Sequence, residues 1–101
     1  MVEIRGIQMS KEIVRVRIRV YGIVQGVGFR YYAKWNAIKL GIKGYAENLP
    51  NGSVEILAEG TKENVEKFIE IIKKGPPAAY VERVEIAYEE PKGDYDYFYI
   101  L

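Results

Sequence analysis

The sequence predicts an α+β sandwich in which an antiparallel sheet carries two helices on one face, in the order βαββαβ. Short segments alternate apolar and polar residues as strands do, and two longer segments repeat apolar residues every three or four positions as helices do. Glycine or proline separates these segments. The chain has 101 residues, 49% of them apolar and 29% charged, which is the size and composition of one globular domain.

The first strand, loop and helix are expected within residues 13–40. Residues 13–20 alternate valine or isoleucine with arginine, which predicts a half-buried strand with one polar face. Residues 21–28 are rich in glycine and predict a loop. Residues 29–40 place apolar side chains on one stripe of a helix, and the following Gly41 is typical of a helix end.

The central part of the chain predicts a hairpin. Residues 44–47 are a short strand candidate, and residues 53–59 alternate apolar and polar side chains again. Pro50-Asn51-Gly52 lies between them and favours a tight turn, because Asn and Gly accept the positive φ angles that such turns need.

The second helix has the clearer pattern. Thr61 is a predicted N-cap, and Gly75-Pro76-Pro77 predicts the end of the helix. Residues 81–88 then predict a strand, and the aromatic residues 95–101 predict an edge strand or an arm packed on the sheet. The apolar positions at helical spacing are Val65, Phe68, Ile69 and Ile72.

Two strand–helix–strand halves joined by a hairpin form the ferredoxin-like split βαβ arrangement. We expect residues 13–101 to form this domain and residues 1–12 to be a flexible N-terminal extension. The sequence leaves open whether Met1 or Met9 is the first residue of the protein.

The composition excludes several kinds of chemistry. The chain has no cysteine and no histidine, which removes disulfides, thiol nucleophiles, Cys/His zinc sites and histidine bases. No apolar stretch approaches the roughly 20 residues of a membrane span. The first residues do not have the pattern of a signal peptide. We therefore expect a cytoplasmic protein that does not bind a membrane.

Three arginines, Arg15, Arg17 and Arg19, share the polar face of the first predicted strand. A basic sheet face in this topology is typical of RRM-like RNA-binding domains, but those domains also stack bases on aromatic residues of the central strands. The first strand has no aromatic residue on this face, so we favour pairing with acidic residues of neighbouring strands instead. The expected partners are Glu55, Glu59 and Glu85.

Arg30 is the second residue that the charge pattern singles out. It lies in the first turn of the predicted first helix, and residues 13–46 contain no acidic residue to offset it. A glycine-rich loop, a helix N-terminus and a guanidinium together favour an anion site, and phosphate fits best. On spacing alone an equally good interpretation is a tight turn followed by a solvated arginine.

Two longer motifs make a family resemblance visible. Residues 22–30 (GIVQGVGFR) resemble the first signature of the acylphosphatase family, and residues 44–54 (GYAENLPNGSV) with the later Gly60 resemble the second. The resemblance extends over about residues 15–88, and both motifs are long and specific. It implies the same βαββαβ fold.

The resemblance also implies an activity, the hydrolysis of an acyl phosphate to a carboxylate and phosphate without metal or cofactor. The substrate would be a small acyl phosphate, and a monomer is expected. By motif position, Asn48 would position the attacking water and Arg30 would bind the phosphoryl group. The loop residues whose main chain would help Arg30 are Gln25, Gly26, Val27, Gly28 and Phe29.

Elementary chemistry agrees with this activity. A carboxylate leaving group has a conjugate acid of pKa about 4–5, so it needs no general acid. Phosphoryl transfer depends mainly on positioning and charge stabilisation, so a site without histidine or cysteine is competent. Alternation places Glu47 on the opposite face from Asn48, which excludes Glu47 from catalysis.

Two other functions remain as alternatives. The domain could capture phosphate or an acyl phosphate without catalysis, as a part of a larger machine. The less favoured alternative is the RRM-like RNA-binding domain described above. Without the resemblance, Asn48 is more simply a turn residue that bonds its own backbone. The Lys-, Glu- and Ile-rich composition favours a thermophilic source.

Overall fold

A computed structural model describes residues 11–101, and the ferredoxin-like α+β fold is confirmed. Residues 1–10 lie outside the described part, so the flexible extension and the choice between Met1 and Met9 stay predictions. Each predicted helix and strand is present, with small shifts at its ends. In chain order the elements are β1 (Ile13–Ile23), α1 (Phe29–Lys39), β2 (Lys43–Asn48), β3 (Val54–Thr61), α2 (Lys62–Lys74), β4 (Tyr80–Glu89) and β5 (Phe98–Ile100).

The five strands form one sheet in the order β4-β1-β3-β2-β5. β1 lies between β3 and β4 and is antiparallel to both, and β2 is antiparallel to β3. The antiparallel prediction is therefore confirmed for β1 to β4, whereas β5 pairs in parallel with β2 and makes the sheet mixed.

The parallel edge follows from the path of the chain after β4. Residues 90–97 cross one face of the sheet, where Gly93 N donates to Glu59 and Arg15 donates to Asp94. The chain thereby reaches the far edge at the end where β2 begins, and Phe98 lies opposite Gly44. Only the end of the predicted segment 95–101 forms the edge strand.

Both helices pack on the other face of the sheet, as predicted. Thr61 caps α2 by accepting a hydrogen bond from Asn64 N at 3.3 Å, and Gly75 follows the helix end. One hydrophobic core joins the helices to the strands. The side chains that fill it from α1 are Phe29, Ala33 and Ala37, from α2 Val65, Phe68, Ile69 and Ile72, and from the sheet chiefly Val16, Ile18, Val20, Val54, Ile56 and Phe98.

The arginine stripe of β1 is paired with acidic residues, as the sequence favoured. Arg15, only 3% exposed, contacts Glu59 at 3.0 Å, and Arg19 contacts Glu55 at 2.9 Å. Glu85 does not form the predicted ion pair with this stripe; its carboxylate accepts hydrogen bonds from Tyr21 and Arg83 instead. The remaining carboxylates that pair with Arg15 and Arg17 come from Glu89 at the end of β4 and from Asp94.

The Arg17 guanidinium in this network is occupied by protein partners. The Arg17 guanidinium donates to Glu55, Glu89 and the Tyr45 hydroxyl, and residues 90–97 cover part of the same face. Guanidinium groups that already bind carboxylates are poor phosphate ligands, because a nucleic acid would have to displace those partners.

Candidate active site

The loop between β1 and α1 carries a turn that glycine makes possible. Gly26 and Gly28 have φ angles of 76° and 78°, in the left-handed region that other residues rarely adopt. A Cβ at either position would meet no atom within 4 Å, so the conformation rather than the space favours glycine there. Gly28 is the N-cap of α1.

The N-terminus of α1 is open toward this loop. Within residues 11–101, no side chain caps α1 and no acidic residue lies in its first turn. The first main-chain N–H groups of a helix have no partner inside the helix, and they carry the positive end of its dipole. The loop and the helix start therefore present N–H donors to whatever occupies the space in front of them.

Arg30, the second residue of α1, is held close to the edge of β2. Its Nη1 donates to the main-chain oxygen of Leu101 at 2.8 Å, and Leu101 N donates to Ala46 O at 2.9 Å. Among the described residues, no side-chain carboxylate forms an ion pair with Arg30. A guanidinium has five N–H donors, so most of them remain available to a ligand.

Asn48 ends β2 and approaches the same place from the sheet. It has the strand parity of Gly44 and Ala46, which is the face that packs against the helices. Tyr45 has the opposite parity and binds Glu55 on the open face at 2.6 Å. Glu47 shares the parity of Tyr45, which agrees with its exclusion from the site.

A cleft of about 160 Å³ brings these parts together. This volume is large enough for an anion of the size of phosphate. Its lining contains one charged side chain, that of Arg30, and no carboxylate. The lining residues are Val24, Gly26, Gly28, Phe29, Arg30, Tyr31 and Asn48.

Five of the seven predicted site residues line this cleft, and two do not. Gln25 and Val27 are outside the lining, although their main chain belongs to the loop. Two further lining residues, Val24 and the half-exposed Tyr31, were missed. Tyr31 had a detectable signal, because it follows Arg30 directly on a helix that starts at the site.

The side chain of Gln25 points to the turn between β2 and β3. Its Nε2 donates to Leu49 O at 2.8 Å and to Ser53 O at 2.9 Å. These two oxygens lie on either side of the predicted Pro50-Asn51-Gly52 turn, directly after Asn48.

The described residues offer no group of three or more side chains with the spacing of a metal site. None of the helices within residues 11–101 is long and apolar enough to cross a membrane.

The chain is similar in sequence to proteins of one known family. The acylphosphatase family model matches residues 16–100. An acylphosphatase of Thermococcus kodakarensis is 51% identical over 80 residues, which cover 79% of this chain and 88% of that protein.

Solved structures agree with these matches. The crystal structure of acylphosphatase from Bacillus subtilis is 36% identical, with a TM-score of 0.84 over 87% of this chain and 98% of the other. The crystal structure of full-length HypF in its phosphate- and nucleotide-bound form is 34% identical, with a TM-score of 0.82. That match covers 89% of this chain and 12% of the longer one.

Proposed function

The chain belongs to the acylphosphatase family and is an acylphosphatase, and we propose that the cleft between the β1–α1 loop and Asn48 is where it hydrolyses its substrate. The observation that carries this proposal is that Arg30, the open N-terminus of α1 and Asn48 line one small cleft. The substrate class is the acyl phosphates, in which a carboxyl oxygen is bonded to phosphorus.

The phosphoryl group binds to the loop side of the cleft. The main-chain N–H groups of residues 25–29 take some of its oxygens, with Gly26 and Gly28 giving the loop its shape. The Arg30 guanidinium takes others with the N–H donors that Leu101 does not use. Both groups stabilise the charge that spreads over the phosphoryl oxygens in the transition state.

Asn48 positions the attacking water on the β2 side of the cleft. Its carboxamide has one acceptor and two donors, so it can accept from the water and still make a second contact. The water oxygen forms a new bond to phosphorus in line with the acyl oxygen. The bond between phosphorus and the acyl oxygen breaks, and its electron pair leaves with the carboxylate.

No residue of the cleft needs to donate a proton in this reaction. The leaving carboxylate is stable at neutral pH, since its conjugate acid has a pKa of about 4–5. The proton of the attacking water passes to a phosphoryl oxygen of the substrate. The lining contains no carboxylate that would perform either task, which fits this assignment.

Benzoyl phosphate hydrolysis tests the proposal. After dialysis against a chelator, the protein is expected to hydrolyse benzoyl phosphate at an undiminished rate and to be inhibited competitively by inorganic phosphate. An alkyl phosphate monoester should react far more slowly, because its alkoxide leaving group needs a proton. Loss of activity on chelation, or equal rates for the two substrates, would contradict the proposed mechanism.

A second candidate is capture of phosphate or an acyl phosphate without turnover. The match to a domain that makes up 12% of the longer HypF chain favours it, because a domain of this fold also exists inside a larger protein. Phosphate binding without hydrolysis of benzoyl phosphate would identify this function.

We also propose that the protein acts as a monomer in the cytoplasm and is adapted to high temperature. The ion-pair network of β1 supports the thermal adaptation, because such networks gain value as temperature rises. Light scattering and a melting curve test the oligomeric state and the stability.

A further inference from the structure

Gln25 joins the two halves of the cleft through its side chain. Its single carboxamide nitrogen donates to two main-chain oxygens, Leu49 O at 2.8 Å and Ser53 O at 2.9 Å. We propose that Gln25 is a positioning residue, which fixes the distance between the phosphate-binding loop and the Asn48 side of the cleft. This inference rests on the proposed function of the cleft.

The turn that Gln25 holds has its own internal bonds. Leu49 N donates to Ser53 O at 2.9 Å and Gly52 N donates to Leu49 O at 3.1 Å. The Asn51 side chain accepts from Ser53 N at 3.0 Å. The turn is therefore a compact unit without Gln25, and the two additional bonds from Gln25 act mainly to attach this unit to the loop.

These bonds join residues that are next to the site residues in the chain, so they affect where the site residues lie. Leu49 follows Asn48 directly, and Gln25 belongs to the loop whose main chain faces the phosphoryl group. A shift of the turn relative to the loop would move Asn48 relative to Arg30. The cleft contains both residues, so the shift would change the path between the water and phosphorus.

The same bonds exclude a direct role for the Gln25 side chain. A carboxamide has two N–H donors, and both are used by Leu49 and Ser53. What remains is an acceptor oxygen, which cannot bind the acceptor oxygens of a phosphoryl group. Gln25 is also absent from the lining of the cleft, so its side chain acts through the residues it holds.

Positioning matters more for turnover than for phosphate affinity in this arrangement. Phosphate binds to the loop and Arg30, both on one side of the Gln25 bonds. The attacking water is held on the other side. A displacement of about 1 Å between reacting groups costs on the order of 100-fold in rate.

Two substitutions test the proposal in the full-length protein. Gln25→Glu keeps the shape but replaces the donor nitrogen by a carboxylate oxygen that faces two carbonyl oxygens. Gln25→Met keeps the length and removes the bonds without adding charge. Both are expected to lower kcat for benzoyl phosphate by about 10- to 100-fold. The inhibition constant of inorganic phosphate should change by less than about threefold for Gln25→Met.

Acid should partly rescue the first variant. Two facing carbonyl oxygens raise the pKa of the new carboxyl, and the protonated form donates one of the lost hydrogen bonds. The ratio of wild-type to Gln25→Glu kcat is therefore expected to shrink as pH falls, while the ratio for Gln25→Met stays constant.

Asn64→Asp is the matched control. Asn64 also donates from its carboxamide to a main-chain oxygen, Leu40 O at 3.0 Å, but between the helices and away from the cleft. This variant should keep the wild-type kcat even if its melting temperature falls. Unchanged kcat in a folded Gln25→Met protein would overturn the proposal, as would a loss of kcat that only follows the unfolded fraction in all three variants. If the wild-type protein binds phosphate but does not hydrolyse benzoyl phosphate, the proposed function fails instead.

Discussion

Arg30 illustrates how one side chain can serve two surfaces at once. Its Nη1 donates to Leu101 O, Leu101 N donates in turn to Ala46 O of β2, and Arg30 also lines the cleft. The bond to Leu101 O restrains a long, flexible side chain beside the proposed phosphate site. Less rotamer entropy is then lost when phosphate binds.

Replacing Arg30 should remove both binding and turnover. Arg30→Ala is expected to lower kcat by roughly 100- to 1,000-fold, because a preorganised donor to the transition state disappears. The inhibition constant of phosphate should rise as well, since in the proposed site the same guanidinium binds the ground-state anion. Steady-state kinetics with benzoyl phosphate and phosphate inhibition measure both effects.

Arg30→Lys separates charge from geometry. Lysine keeps the positive charge but cannot engage two oxygens and Leu101 O in one plane. It should recover phosphate affinity more than turnover. A Lys variant with full activity would show that a point charge suffices and that the bond to Leu101 O has no role.

Replacing Asn48 should separate turnover from binding. Asn48→Ala is expected to lower kcat by about 100-fold, the usual cost of losing a group that acts on the transition state. The inhibition constant of phosphate should stay within about twofold, because in the proposed mechanism Asn48 contacts the attacking water and not the phosphoryl group. If benzoyl phosphate hydrolysis continues at the wild-type rate, the role assigned to Asn48 is wrong.

The site residues differ in how far the sequence alone could predict them. Physical reasoning alone singled out Arg30, because a cation in the first turn of a helix, with no acidic residue nearby, favours a site for an anion. Asn48 did not, since an Asn before Leu-Pro-Asn-Gly is most simply a turn residue, and only the family motif indicated its role. The Gln25 side chain was not predicted, because its partners are main-chain oxygens and a main chain has no sequence signature.

At the scale of single elements, Gly22 sets where β1 stops being a regular strand. The β1–β4 register shifts between Tyr21 and Gly22, and Gly22 has a φ angle of 134°. A Cβ here would lie 2.1 Å from Tyr80 O and 2.8 Å from Glu82 N, both in the backbone of β4. The strand that feeds the loop can thus approach its neighbour only with a glycine at this point.

Gly22→Ala is therefore expected to destabilise the fold. Backbone displacement and an unfavourable φ angle together should lower the free energy of unfolding by about 3 kcal/mol. Urea unfolding followed by circular dichroism measures this. Gly41→Ala is the control: Gly41 has a φ angle of 68° and open space around it, so only about 1–2 kcal/mol should be lost. Equal losses in the two variants would contradict the steric argument.

The strands and helices themselves were largely predictable, and the exceptions have physical reasons. Alternation located β1 but ended it at residue 20, because the bulge at Gly22 interrupts the period of two that defines the pattern. The start of α2 was predictable because Thr61 caps it through a local bond. The parallel direction of β5 depends on how residues 90–97 cross the sheet, which no local pattern encodes.

At the scale of the whole molecule, the carboxylates on the open face of the sheet should make the fold less stable at acid pH. Burial alone would raise the pKa of Glu55, but hydrogen bonds from Tyr45 and Arg19 and the charge of Arg17 outweigh it and lower the pKa. The pKa of Glu59 is lowered in the same way, against burial, by the Lys92 and Gly93 amides and by Arg15. Arginine neighbours also lower the pKa of Glu89 and of Asp94.

These lowered pKa values fix the sign of the pH effect. A carboxyl group with a lower pKa in the folded state contributes stability above its unfolded pKa of about 4, and that contribution is lost as pH falls through the folded value. The free energy of unfolding should therefore decrease steadily below about pH 4. Urea titrations at a series of pH values measure the slope.

Two variants test whether the carboxylates paired with the β1 arginines cause this dependence of the unfolding free energy on pH. Glu55→Gln should flatten the acid dependence, since one carboxylate with a lowered pKa is gone. Glu85→Gln changes an exposed carboxylate that is bonded to Tyr21 and Arg83 and forms no ion pair with the β1 arginines, so it should leave the slope unchanged. If the Glu55→Gln protein keeps the wild-type slope, the acid sensitivity has another source.

The central position of β1 also governs how the chain reaches this structure. Arg15 of β1 pairs with Glu89 of β4, 74 residues further on, so the strand formed first along the chain obtains its partners late. The chain loses the entropy of closing these long loops before the strands can pair. Mixed α/β chains of this kind therefore fold more slowly than helical bundles. The loop before α1 starts at the end of β1, so its position is fixed only when β1 has paired. Catalysis after dilution from denaturant should consequently return in the same kinetic phase as the bulk of the tertiary structure, with no earlier burst.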